Sequence, residues 1–232
     1  MPQGQIVAIG GAVLVPDSSL ALERYILDAS GAAKPRVAFV PTASGDDATY
    51  VARFDDAYGR LGAERDVLRF FRRTPDDLDA FLSRFDVVHV GGGNTRSMLA
   101  VWRHWGLDRA LRAAWERGTL LCGSSAGSIC WFDFGVTDSV AEALTAMPCL
   151  GFVAGSNCPH YDGEPERRPA FRRLVATGAL PPGIACDDGV GLHYRGASLD
   201  AVVSSRPEAR AYRVEARDGA AVETALETTV VE

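Results

Sequence analysis

The segment Leu120-Leu121-Cys122-Gly123-Ser124-Ser125-Ala126-Gly127-Ser128 is the tightest constraint on how this chain can fold. An apolar, strand-like run ends in Gly-x-Ser-x-Gly, and a helix-permissive stretch follows. This is the sequence form of a nucleophile elbow, in which a serine occupies a sharp strand-to-helix turn with its hydroxyl above the sheet edge. The glycines suit the turn because a Cβ beside so close a backbone approach would clash. The pattern alone is weak, and its plain alternative is a tight turn whose serines merely cap amides. Its place after a buried strand favours the functional reading, with Ser125 as nucleophile. The rest of the chain must then supply a base, an acid to orient it, and an oxyanion hole.

The surrounding pattern is that of a doubly wound α/β unit. Apolar runs at 6–10, 36–40, 66–70, 86–90 and 119–122 alternate with helical spacing at 19–28, 48–61 and 95–116. Strands without polar alternation are buried on both faces, as in a parallel sheet covered by helices. Thr74 and Pro75 read as N-cap and first residue of another helix. The runs at 201–203 and 211–214 read as an antiparallel edge on the same domain. The expected fold is therefore α/β: one domain over 1–232, mostly a parallel doubly wound sheet with helices on both faces and a C-terminal antiparallel edge. In such sheets ligands bind beyond the carboxyl ends of the strands. The loops Gly91-Gly92-Gly93-Asn94-Thr95 and Gly123–Gly127 both lie there.

Composition narrows the chemistry. A net charge of −6 with scattered basic residues argues against nucleic acid or an anionic membrane as partner. Lys34 is the only lysine and sits in a turn before Pro35, so Schiff-base and P-loop readings fall away. The five cysteines form no Cys-x-x-Cys and several sit in apolar runs, which reads as reduced thiols in a cytoplasmic protein. Met1–Gln5 carries no basic leader before a long apolar stretch. No Cys/His cluster has metal-ligand spacing, and a serine mechanism needs neither metal nor cofactor.

Four histidines compete for the role of base. His89 lies inside a buried strand and reads as a core residue, and His104 lies mid-helix among tryptophans. His193, in Gly191-Leu192-His193-Tyr194, is ambiguous. His160, in Asn157-Cys158-Pro159-His160-Tyr161-Asp162, follows a strand-like run on a segment stiffened by proline, and is the preferred base. The orienting acid falls to Asp187-Asp188-Gly189, at the end of the buried run Gly183–Cys186, with Asp138 as rival and Asp133 weaker. Each has the plain alternative of a turn aspartate. Oxyanion donors would come from the Ala126 amide and from Gly92 or Gly93, at the start of a helix whose dipole favours negative charge. The plain alternatives for the triple glycine are a phosphate-binding loop and a simple turn. The Gly-x-Gly-x-x-Gly spacing of a dinucleotide site is absent.

Taken in order, Val90–Thr95, Gly123–Gly127, Cys158–Tyr161 and Asp187–Gly189 resemble the peptidase E (aspartyl dipeptidase) family of serine peptidases. The chain also looks like the cyanophycinases and, more distantly, the class I glutamine amidotransferase-like fold. The resemblance runs from the first strand to about residue 205. It implies a serine exopeptidase acting on short peptides, with Ser125 as nucleophile, His160 as base, and Gly93 and Ala126 at the oxyanion hole. Gly92 and Asn94 flank that hole on the substrate side. The acid maps to Asp188, where peptidase E carries a glutamate, with Asp138 as the alternative. Peptidase E reads an N-terminal aspartate partly through an arginine downstream of the catalytic histidine. A gapless reading puts Glu166 in that slot, with Arg167 and Arg168 just after it. An acidic pocket would favour a free amino terminus or a basic side chain. The resemblance also implies a homo-oligomer, dimer or larger. The rival readings are cyanophycin-type or other amide hydrolysis at the same site, and a non-catalytic relative that only binds ligand.

Overall fold

The computed structural model describes residues 4–16, 18–140 and 143–232, so the leader expectation at Met1–Gln3 lies outside the described residues. Its centre is a set of short apolar strands: β1 (Gln5–Ile9), β2 (Arg36–Val40), β3 (Glu64–Val67), β4 (Val87–Val90) and β5 (Leu120–Ser124). They run parallel in the order β1-β5-β4-β2-β3. Alternate side chains supply the two faces. Val7, Ile9, Val37, Phe39 and Leu120 pack with Leu22 and Ile26 of α1 (Ala21–Ala29) and Phe54 and Tyr58 of α2 (Ala48–Arg60). Ile6, Ala8, Val40, Val88 and Leu121 pack on the opposite face with Met98, Leu99 and Trp102 of α4 (Thr95–Trp105) and Leu111 of α5 (Leu107–Arg117). Between these two layers of helix the central strands are sealed, which is why they carry no polar alternation.

Several expected boundaries move. The helix at 95–116 is two helices, because Gly106 adopts φ 78 and caps α4 with its amide on the Trp102 carbonyl. The β3 run stops at Val67, and the Phe70 and Phe71 amides turn away to bond Asp46 Oδ2. Thr74 is not an N-cap: its hydroxyl donates to the Arg69 carbonyl. The short α3 (Leu78–Leu82) starts instead behind Asp77, whose carboxylate accepts from the Ala80 amide. The local bond from Asp77 satisfies a free helix amide, which Thr74 is too far back to reach.

The C-terminal runs part company. β10 (Val190–Arg195) lies antiparallel on β1, and β11 (Ser198–Ser204) and β14 (Thr229–Val230) extend that sheet. β12 (Ala211–Arg217) and β13 (Ala220–Ala225) join a second sheet with β6 (Phe132–Thr137), β7 (Thr145–Pro148), β8 (Val153–Cys158) and β9 (Gly183–Cys186). In that sheet β6, β8 and β9 are parallel, and α7 (Arg167–Ala176) packs on it through Phe171 and Val175. The architecture is mixed α/β, with a mostly parallel first sheet and a second sheet whose parallel centre is flanked by antiparallel strands, and the second sheet is the part that local sequence pattern does not reveal. It carries β8 and β9, the strands that lead to His160 and Asp188. Among the described residues no helix is long and apolar enough to cross a membrane.

Candidate active site

Ser125 follows β5 and caps the short α6 (Ala126–Ile129) with φ 56 and ψ −113. A non-glycine residue holds such a conformation only where its surroundings over-determine it, at a cost of roughly 1–3 kcal/mol. The surroundings are tight. A methyl group on Gly123 or on Gly127 would overlap the Val90 carbonyl, so α6 is pressed against the end of β4. The Ser125 amide donates to the Ile9 carbonyl at 3.3 Å, which ties the elbow to the end of β1.

The triple-glycine loop faces it. A Cβ on Gly92 would lie 3.2 Å from Ser125 Cβ and 3.8 Å from its Oγ. The Gly91 amide donates to Val40 O and the Gly92 amide to Tyr50 Oη at 3.1 Å, while the Asn94 amide donates to Ala43 O. Among the described residues no protein acceptor takes the Gly93 amide, nor that of Ala126 at the first position of α6. Gly93 sits at φ 134 against the Ala43 carbonyl, where only glycine fits. Asn94 serves as N-cap of α4, accepting from the Ser97 amide at 2.8 Å.

His160 hangs from the next residue of the same strand end: its amide donates to the Gly10 carbonyl at 3.2 Å. It too has a positive φ, 55, and its own carbonyl accepts from the Glu164 amide. Its ring Nδ1 lies 2.7 Å from Asp188 Oδ1, with both side chains about a quarter accessible. With Nδ1–H donating to the carboxylate, the neutral ring keeps its lone pair on Nε2. Two glycines enclose the pair, since a Cβ on Gly11 would overlap the His160 ring and Asp188 Oδ1, and one on Gly163 would overlap Asp188 Oδ2. Among the described residues no hydrogen bond joins His160 to Ser125 Oγ. In free enzymes such contacts are often long and tighten with substrate in place.

Among the described residues no other histidine hydrogen-bonds Asp188. His89 is fully buried beneath Tyr58, and burial pushes its imidazole down to about 3. Both ring nitrogens of His193 are engaged, Nδ1 with Tyr25 Oη and Nε2 with Gln5 Oε1. His104 is exposed on α4. Of the other acids, Asp187 is raised by burial and accepts from the Arg210 amide, and Asp133 accepts from the Gly155 amide. Asp138 is exposed at the end of β6 and makes no hydrogen bond with His160.

A cleft of about 360 Å³ opens over the serine, lined by Gly93, Asn94, Ser125, Asp138, Ser139, Glu164 and Arg167. A larger hollow of about 940 Å³, bounded by Asp46, Asp55 and Arg73, contains none of these residues. Arg167 is nearly buried, with Nε on Glu164 Oε2 at 2.6 Å and Nη1 on the Val136 carbonyl at 2.9 Å. Glu166, the residue in the arginine slot of the gapless reading, is exposed at the start of α7 and does not line the cleft. Glu164, Ser139 and Tyr50 carry no signal in the sequence that marks them for the site. Only their fold neighbours, and no motif, bring them there.

The comparisons with known proteins agree on the class: this is a peptidase. Residues 6–202 match the model for Peptidase family S51, and the chain belongs to that family. It is 49% identical over 212 residues to the uncharacterized peptidase YgaJ of Bacillus subtilis (strain 168), covering 90% of this chain and 91% of that protein. It is 38% identical over 137 residues to Peptidase E of Streptomyces coelicolor, covering 54% of this chain and 51% of that one. A solved peptidase from an acI-B1 Actinobacterium shares the fold at a TM-score of 0.75 and 18% identity, covering 99% of this chain and 96% of the other.

Proposed function

We propose that this peptidase is a serine exopeptidase that cleaves short peptides through an acyl-enzyme. Ser125 Oγ attacks the scissile carbonyl carbon while His160 Nε2 takes its proton. The Gly93 and Ala126 amides hold the oxyanion, worth roughly 3 kcal/mol per donor in the transition state. His160 then protonates the leaving amine as the C–N bond breaks, and a water activated by the same ring releases the acyl group. Asp188 orients the imidazole and stabilises its charged form. The observation that carries the reading is the 2.7 Å His160–Asp188 bond, anchored one residue along β1 from the anchor of the strained Ser125 turn.

Substrate selection follows from the cleft charges. Arg167 is already engaged by Glu164 and Val136 O, so an N-terminal aspartate side chain has no uncommitted guanidinium waiting for it. Asp138, on the cleft wall, favours a free α-ammonium. This reading places the enzyme in the cytoplasm, as a homo-oligomer of single-domain subunits. The test is Ser125→Ala with a fluorophosphonate probe and a dipeptide panel that includes Asp-Xaa. Labelling of wild type at Ser125, and loss of both labelling and dipeptide turnover in the variant, are expected. Unchanged turnover in the variant would sink the serine mechanism.

A further inference from the structure

The acid of the proposed triad sits in a turn that is pinned on its far side, where the Gly189 amide donates to the Gly11 carbonyl and the Gly189 carbonyl accepts from the Ser205 amide. Asp188 is followed by Gly189 at φ 78, the residue type with the greatest torsional freedom. Yet its carboxylate has to meet an imidazole whose own backbone is held in the left-handed region. One side chain bridges the two loops. Asp162, two residues after His160, accepts the Asp188 amide on Oδ1 at 2.7 Å. Its Oδ2 accepts from Arg206 Nη1 at 2.9 Å, and the same Nη1 reaches the Asp188 carbonyl at 3.2 Å. The amide and the carbonyl of Asp188 are thus both gripped. Arg206 is itself braced, its amide donating to Ser204 Oγ and its guanidinium paired with Glu208.

We infer that Asp162, anchored by Arg206, is a positioning residue that fixes the Asp188 backbone so that its carboxylate meets His160 Nδ1. The inference rests on the Ser125–His160–Asp188 reading above and adds what holds its third member. Neither residue lines the cleft over Ser125. Both are partly exposed, so their removal costs little core packing. An exposed ion pair contributes little to folding, roughly 0–1 kcal/mol, so stability alone does not account for the arrangement.

The test reads the chemistry at Ser125 directly. Fluorophosphonate labelling forms a Ser125 Oγ–P bond, expels fluoride and passes the serine proton to His160, so kinact reports the aligned base and KI reports binding. Asp162→Ala should lower kinact about a hundredfold, the penalty for roughly 1 Å of misplacement, with KI unchanged. Asp162→Asn, whose amide oxygen still accepts the Asp188 amide but whose NH2 faces Arg206 Nη1 in place of an acceptor, should lose less kinact than the alanine variant, as should Arg206→Ala. An unchanged kinact in Asp162→Ala, a loss in Asp162→Asn as deep as in the alanine variant, or a loss confined to KI would each overturn the inference. If Asp162→Ala does not fold, Arg206→Ala decides alone: lowered kinact at constant KI supports the clamp, and unchanged kinact overturns it. Ser125→Ala separates the levels. If it still labels, the triad reading itself fails. If it is inert while the Asp162 and Arg206 variants react normally, only the clamp fails.

Discussion

Replacing Asp188 by asparagine removes one charge and keeps the shape. In the native site the carboxylate accepts from His160 Nδ1 at 2.7 Å. In the proposed mechanism His160 takes the serine proton and becomes an imidazolium beside that carboxylate. Both side chains are about a quarter accessible, which places the effective dielectric between bulk water and the protein surface. The pair is then worth about 1–4 kcal/mol, equivalent to between fivefold and a thousandfold in rate. A second effect adds to it. The asparagine amide can donate to Nδ1, which puts the ring proton on Nε2, the atom proposed to accept from Ser125. Together they predict a fall in kcat of about 10³–10⁴, the scale of a wrong-tautomer lesion. KM should stay level, because Asp188 does not line the cleft. The assay is dipeptide hydrolysis with single-turnover labelling, run beside Asp138→Asn. A kcat for Asp188→Asn within about tenfold of wild type, or a deeper loss in Asp138→Asn, would refute the reasoning.

Two further outcomes follow from the same geometry. Ser125→Gly should be inactive yet melt higher than Ser125→Ala: releasing a strained φ of 56 regains roughly 1–3 kcal/mol, against about 0.5–1 kcal/mol for glycine's extra unfolded freedom. Equal melting temperatures would show that the elbow stores no strain. His89 is buried neutral with its imidazole lowered to about 3, so its contribution to stability is complete above pH 6.5 and is lost as pH falls from there toward 3. The full loss is about 4–5 kcal/mol, and urea unfolding at pH 7 and pH 4 should show a smaller drop in His89→Gln than in wild type.

The elements legible in sequence are those whose signal is local. The parallel strands announce themselves because burial on both faces demands unbroken apolar runs such as Ile6–Ile9 and Val37–Val40. The elbow is legible because its glycines meet backbone a few residues away or one strand over. His160 and Asp188 stand out because each ends a strand-like run. The split at Gly106 is visible as a glycine but hidden as a break, since helical spacing resumes immediately in register. Thr74 misleads because a capping side chain and a following proline are common outside helices as well.

What no local signal carries is the pairing of distant loops. The sequence by itself determined that a serine sits on a tight turn at the carboxyl end of a buried strand, because that conformation is written in neighbouring residue types. Only the tertiary structure decided what surrounds it. The second sheet brings the ends of β8 and β9 to the end of β1, so that Gly11 packs against both His160 and Asp188. It puts Glu164 rather than Glu166 beside Arg167 in the cleft, and hangs Asp188 between Asp162 and Arg206, 26 and 18 positions away in the chain. Such contacts depend on how strands are ordered across two sheets. That order is set by burial of whole faces and leaves no mark on any single stretch of residues.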